Sequence, residues 1–224
     1  MGCSSPTSSQ YLGWRSRSSA SYSVSLEIQT IALMIAAFGA MARFPAVAYA
    51  WLRTLLVRRR FVSFRFGWVE FLTNFEPPLA LIIGYLLFRT LGPTSAPALW
   101  RTLAGTIGGG FVLAGWAFQI WAFLSWTSLY AGHGVVDDQH LIRHGAYAVV
   151  RHPAYFGVCA VWVGLGVAFT STIVLAIACL YVIPIYVLYL RAEESLMLEA
   201  FGSEYRDYRR RVGRWLPRPA RPPG

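Results

Sequence analysis

PAYFGVCAVWVGLGVAFTSTIVLAIACLYVIPIYVLYL, residues 153–190, is a run of 38 positions without one charged side chain. About 20 apolar residues suffice for a helix to cross a hydrocarbon core, so the run is too long for one span and right for two. Lipid offers no water to the backbone, and helices satisfy their own N–H and C=O groups. The polar tripeptide Thr170-Ser171-Thr172 is the natural tip of a helical hairpin, giving spans near 154–169 and 173–190. Pro184 falls within the second of these and should kink it.

Working outward from the hairpin, three more apolar stretches precede it. Residues 28–52 are broken only by Arg43. Residues 68–91 hold Glu70 and Glu76 near their start, with Pro77 and Pro78 beside them, and residues 103–126 follow. The expected fold is therefore an all-α, polytopic integral membrane protein of about five transmembrane helices, with a C-terminal helical hairpin and a cytosolic cap. Residues 1–25 form a serine-rich tail read as disordered, 26–130 the N-terminal membrane helices, and 131–224 the core that carries chemistry. Gly105 and Gly109 make a small-xxx-small pair, read as helix packing.

Composition agrees. The chain is 56% hydrophobic and only 13% charged, about half the charge of a soluble domain. All 20 basic residues are arginine, which excludes a Schiff-base or phosphate-loop lysine. The net charge of +10 would suggest nucleic acid in a soluble protein. Here the arginines flank apolar spans, so anionic lipid headgroups are the expected partner, and nucleic acid is not.

Arginine placement also predicts orientation. Arg53, Arg58, Arg59, Arg60 and Arg65 fill the first loop, Arg89 and Arg101 the second, Arg143 and Arg151 the third, and seven more lie between Arg206 and Arg221. First loop, third loop and tail then share the cytoplasmic side. The lysine-free composition points to a bacterial inner membrane.

All four histidines, His133, His140, His144 and His152, fall in one loop, with Asp137 and Asp138 among them. His140 and His144 would share a face if helical, but Gly132, Gly134 and Gly145 argue against a helix, and no metal is expected. A loop that holds an anionic or zwitterionic cofactor accounts for the same residues. A second polar cluster, Arg191, Glu193 and Glu194, stands where the last span ends. Adjacent helical residues point about 100° apart, so at least one glutamate looks into a cavity. With Arg143, Arg151 and His152 they would form a polar chamber. Tyr205 and Tyr208 lie one turn apart on an arginine-rich segment read as an interfacial helix.

Leu141-Ile142, Gly145, Tyr147, Arg151-His152-Pro153, Tyr155 and Gly157, followed by Glu193-Glu194, Phe201-Gly202, Tyr205, Tyr208 and Pro217, resemble the signature of the isoprenylcysteine carboxyl methyltransferase family, relatives of the phospholipid N-methyltransferases. The resemblance covers about 139–217. It implies an integral-membrane methyltransferase that uses S-adenosyl-L-methionine, bound on the cytosolic side between loop and tail. By position it implies cofactor contacts from Gln139, His140, Leu141, Ile142, Tyr147, Arg151, His152, Pro153, Ala154, Tyr155 and Glu193. Glu194 is the candidate for contacting the nucleophile and Arg191 for a substrate role.

Methyl transfer from a sulfonium needs alignment and exclusion of water rather than a metal. A lipophilic substrate would enter sideways from the bilayer and the cofactor from the cytosol. A carboxylate acceptor arrives deprotonated. An amine needs a base, which a desolvated glutamate supplies. The alternatives are an NADPH-dependent membrane reductase of the sterol-reductase type, whose signature also contains Arg-His-Pro, and a non-catalytic lipid-binding protein.

Overall fold

The computed structural model describes residues 97–126, 133–136 and 139–218, together with scattered positions between 23 and 86. Most of the first two apolar stretches, including Arg43, Glu70 and Glu76, lies outside the described residues, as do Asp137, Asp138 and the tail before residue 23. The described elements are α1 (Glu27–Gly39), β1 (Phe61–Arg65), α2 (Ala98–Ser125), β2 (His133–Val136), α3 (Ala146–Val149), α4 (Pro153–Ala168) and α5 (Thr172–Arg211).

Among them, two helices are long and apolar enough to cross a membrane: Leu99–Ser125 and Thr172–Arg211. The hairpin forms where its sequence placed it. α4 ends at Ala168, Thr170 takes φ 49° in the turn, and the Ser171 hydroxyl accepts from the Val174 N–H at 3.4 Å to start α5. α4 has only 16 residues, or about 24 Å of rise. That is short of a full hydrocarbon core, so it leans on its neighbours rather than spanning alone.

The neighbours meet through glycine. α2 and α4 run antiparallel, with Gly108 against Gly164 and Gly115 against Gly157. A Cβ on Gly108 or Gly157 would collide with the carbonyl oxygen of its partner. The members of each set are seven apart, so both lie on one stripe of their helix. Gly105 and Gly109 serve a different neighbour, facing Ile28 and Ala32 of α1. Around this seam Trp162, Val112, Leu165, Val174, Val182 and Tyr186 form the dry core. Gln29 donates its amide to the Ala168 carbonyl at 3.0 Å, tying α1 to the hairpin tip.

α5 is not a simple rod. Residues 178–182 widen into a π-turn, in which the Ile183 N–H reaches the Ala178 carbonyl. Pro184 accounts for this, because it has no N–H and its ring would strike the carbonyl one turn back; a wider turn relieves both. Beyond Leu190 the helix does not stop where the apolar run ends. It continues through the two glutamates to Gly202, where φ 50° and ψ −116° break it, and resumes to Arg211.

The all-α expectation needs one correction. β1 pairs antiparallel with β2. Phe61–Arg65 is rich in aromatic and β-branched residues, and the strand His133–Val136 ends on two valines, a composition that suits strands. The pairing joins the first and third loops, the two that arginine placement assigned to one side.

Candidate functional site

The corner Arg151-His152-Pro153 is built by backbone chemistry. Pro153 is the first residue of α4, a position where its missing N–H costs nothing and its fixed φ presets the helix. His152 is therefore the cap residue, held at φ −130° and ψ 63°. The loop before it is anchored to the end of α2. Gly145 turns at φ 59° against Ser125, whose hydroxyl accepts from the Ala146 N–H at 3.1 Å and donates to the Trp121 carbonyl at 2.7 Å.

The fold-back of α4 on α5 brings this corner to the two glutamates. His152 Nδ1 lies 3.5 Å from Glu193 Oε2, and Nε2 lies 3.2 Å from Glu194 Oε1. Arg151 donates to Glu194 through Nε at 3.2 Å and Nη2 at 2.8 Å. Its Nη1 donates to the Arg209 and Val212 carbonyls at 3.2 and 2.6 Å. Arg214 closes the group by donating to both oxygens of Glu194. On the far side, the Tyr208 hydroxyl donates to the Tyr147 carbonyl at 2.7 Å.

Between loop, α5 and tail lies a half-open cleft. Of the cofactor contacts expected from sequence, Gln139, His140, Leu141, Ile142, Tyr147, Arg151, His152 and Glu193 all line it. Pro153, Ala154 and Tyr155 are not among the lining residues. Pro153 is spent on starting α4. Tyr155 packs instead with Tyr186 and Tyr189 of α5, ring centroids 5.4 and 5.3 Å away. Trp126, Met197, Phe201, Tyr205 and Tyr208 complete the wall. Phe201, Tyr205 and Tyr208 belong to the tail signature, whereas Trp126 and Met197 carried no sequence signal. Trp126 stands edge-on to Tyr147 at 6.1 Å.

Two residues expected to act on the substrate lie outside the cleft lining. Glu194 does not line the cleft; it is buried at 4% exposure among three cationic groups. Burial alone would raise its pKa. Hydrogen bonds from His152, Arg214 and Arg151 outweigh it and hold the carboxyl well below the usual carboxylate range. A raised-pKa base is therefore not what Glu194 supplies. Arg191 is exposed and lines no part of the cleft. The reason is helical phase: the face that carries Glu193 and Met197 looks into the cleft, while Glu194 looks toward the tail.

Burial pulls the His152 pKa down, but contacts with Glu193 and Glu194 prevail and raise it above 6.5. The two ring nitrogens face the two acids, so neither is spare for a cofactor carboxylate. Burial, with the charge of Glu193 added, raises the phenols of Tyr147, Tyr205 and Tyr208 and keeps them protonated. Among the described residues, no group of three or more His, Cys, Asp or Glu side chains is arranged to hold a metal ion.

Residues 102–204 match the model of the family described as phospholipid methyltransferase. This stretch is a domain of that family. It runs from the glycine seam of α2 to just past the Gly202 break, and so contains both faces of the hairpin and both glutamates. The chain is also similar to a protein-S-isoprenylcysteine O-methyltransferase of Tribolium castaneum, 35% identical over 89 residues, 36% of this chain and 29% of that protein. A probable protein-S-isoprenylcysteine O-methyltransferase of Oryza sativa subsp. indica is 33% identical over 82 residues, 36% of this chain and 43% of that protein. The match thus spans less than half the length of these curated relatives. Both come from eukaryotes, which does not favour the bacterial inner membrane that the arginine-only composition suggested.

Proposed function

We propose that this chain is an S-adenosyl-L-methionine-dependent integral-membrane methyltransferase acting on a lipophilic acceptor. The acceptor we favour is the carboxyl group of an isoprenylcysteine-like or other hydrophobic acid, with a lipid amine second. The observation that carries the reading is the cleft itself, whose cleft-facing carboxylate, Glu193, and aromatic wall sit at the charged mouth of an apolar hairpin.

The lining suits the cofactor chemically. Glu193 matches an ammonium group, the aromatic side chains of Trp126, Tyr147 and Tyr205 suit a purine and a sulfonium cation, and Leu141, Ile142 and Met197 exclude water. When bound, the cofactor supplies an electrophilic methyl on a positively charged sulfur. The chain's own task is to hold, orient and dry the reactants, and such positioning contributes several kcal/mol.

The acid groups favour a carboxylate acceptor. Glu194 is ionised but saturated with cations, His152 is held between two carboxylates, and the tyrosines stay protonated. An acceptor that arrives already deprotonated asks nothing of them. By the arginine rule we put the cleft on the cytosolic face, with the acceptor entering from the bilayer along α4 and α5.

The test is equilibrium binding of radiolabelled S-adenosyl-L-methionine to the purified full chain, followed by transfer to membrane extracts. We expect saturable binding, at least tenfold weaker in Glu193→Gln, and a labelled product heavier than its precursor by one methylene and cleaved by mild base, as an ester is. Tight NADPH binding with no response to S-adenosyl-L-methionine would overturn the reading.

A further inference from the structure

Arg214 stands in the tail beyond the last helix, past the segment 102–204 that matches the family model. Backbone geometry aims it. The Gly213 carbonyl accepts from the Arg151 N–H at 2.8 Å, Val150 and Gly213 form a parallel bridge, and any side chain on Gly213 would run into the Leu216 carbonyl. Arg214 and Arg151 are thereby delivered to the same carboxylate from two directions. Arg214 meets Oε1 of Glu194 at 3.0 Å with Nε and reaches Oε2 with Nη2.

Glu194 and Glu193 compete for one ring. His152 splits its two nitrogens between the acid that faces the tail, at 3.2 Å, and the acid that faces the cleft, at 3.5 Å. Each guanidinium on Glu194 satisfies part of its charge and weakens its pull on the imidazole. The ring is then left in place to orient Glu193. We infer that Arg214 is a positioning residue: acting through Glu194 and His152, it sets Glu193 for the cofactor's ammonium group and makes docking of the tail a condition of cofactor binding. The inference rests on the cleft being the S-adenosyl-L-methionine site.

The test is a double-mutant cycle on the full chain in detergent, read as the dissociation constant for S-adenosyl-L-methionine. Binding to the unaltered protein comes first; its absence would sink the reading of the cleft rather than the role of Arg214. Arg214→Ala should weaken binding roughly tenfold, the usual effect of losing a group that orients a ligand-bearing side chain. In a Glu193→Gln background the same change should add little, because the residue through which it acts is already gone. Arg218→Ala is the control for a loosened tail, since Arg218 caps the Arg209 and Arg210 carbonyls and, among the described residues, makes no hydrogen bond to the glutamates or His152; it should bind normally. If Arg214→Ala does not fold, Arg214→Lys, which keeps the charge but not the fork, enters the same cycle. Affinity within about twofold of the unaltered protein, or losses that simply multiply with Glu193→Gln, would overturn the inference.

Discussion

At the scale of the residue, the site turns on two neighbouring glutamates doing unlike work. Glu194 is a structural anion and Glu193 a cleft-facing one. Glu194→Gln leaves Arg151, itself 6% exposed, without its counter-charge. We expect a loss of about 3–5 kcal/mol of stability, read as a lower denaturation midpoint, whereas Glu193→Gln should cost far less stability and chiefly cofactor affinity. Equal destabilisation by the two would contradict the assignment.

The same residues set a pH window. Glu194 has a depressed folded pKa, so its contribution is present above the unfolded carboxylate value of about 4.3 and is lost as pH falls through the folded value. His152 has a raised folded pKa, so its contribution is complete below about 6.5 and is lost as pH rises through the raised value. Melting temperature should therefore decline on the alkaline side of 6.5, and His152→Asn should flatten that decline. An unchanged alkaline limb in this variant would show that another group titrates there.

At the scale of the element, the α2–α4 seam decides whether the corner is placed at all. Gly157 and Gly115 let the helices touch backbone to backbone beside Gln119, just inside the His152 cap. Gly157→Ala puts a methyl into a carbonyl oxygen that belongs to a helix and yields little; overpacking of this kind costs about 1–3 kcal/mol. Gly110, with nothing within 4 Å of its would-be Cβ, is the contrast: Gly110→Ala should stabilise α2 by about 0.5–1 kcal/mol. Thermal melts of the two variants in one detergent check both signs. The glycine set was visible in the sequence, but the neighbour of each glycine was not. Helical phase puts Gly105 and Gly109 on one stripe and Gly108 and Gly115 on another, and only packing says which stripe meets α1 and which meets α4.

At the scale of the whole molecule, the cleft exists because first loop, third loop and tail gather at one end of the helices. β1–β2 pairing, the Val150–Gly213 bridge and the Arg143–Glu204 ion pair at 3.0 Å are the joints. The topology we propose from arginine asymmetry puts that end in the cytosol. In a background with the native cysteines replaced by serine, Arg53→Cys and Arg206→Cys should react with an impermeant maleimide from the cytosolic side, and Arg89→Cys from the other. Labelling of Arg53→Cys and Arg206→Cys from opposite sides would break the proposed topology.

The hairpin, its tip, a disturbance of the helix at Pro184 (a π-turn where a kink was expected) and most of the cleft-lining loop were legible in the chain alone. An uncharged run of fixed length has few ways to satisfy its backbone in lipid, and proline acts on its own turn whatever surrounds it. The different surroundings of Glu193 and Glu194, the position of Arg191 outside the cleft and the placement of Arg214 and Trp126 were not legible. Those depend on the rotation of α5 about its own axis and on where a tail some twenty residues further on comes to rest. Local rules set the first kind of fact. The second is set by long-range packing and by charges that meet only after the helices have folded back.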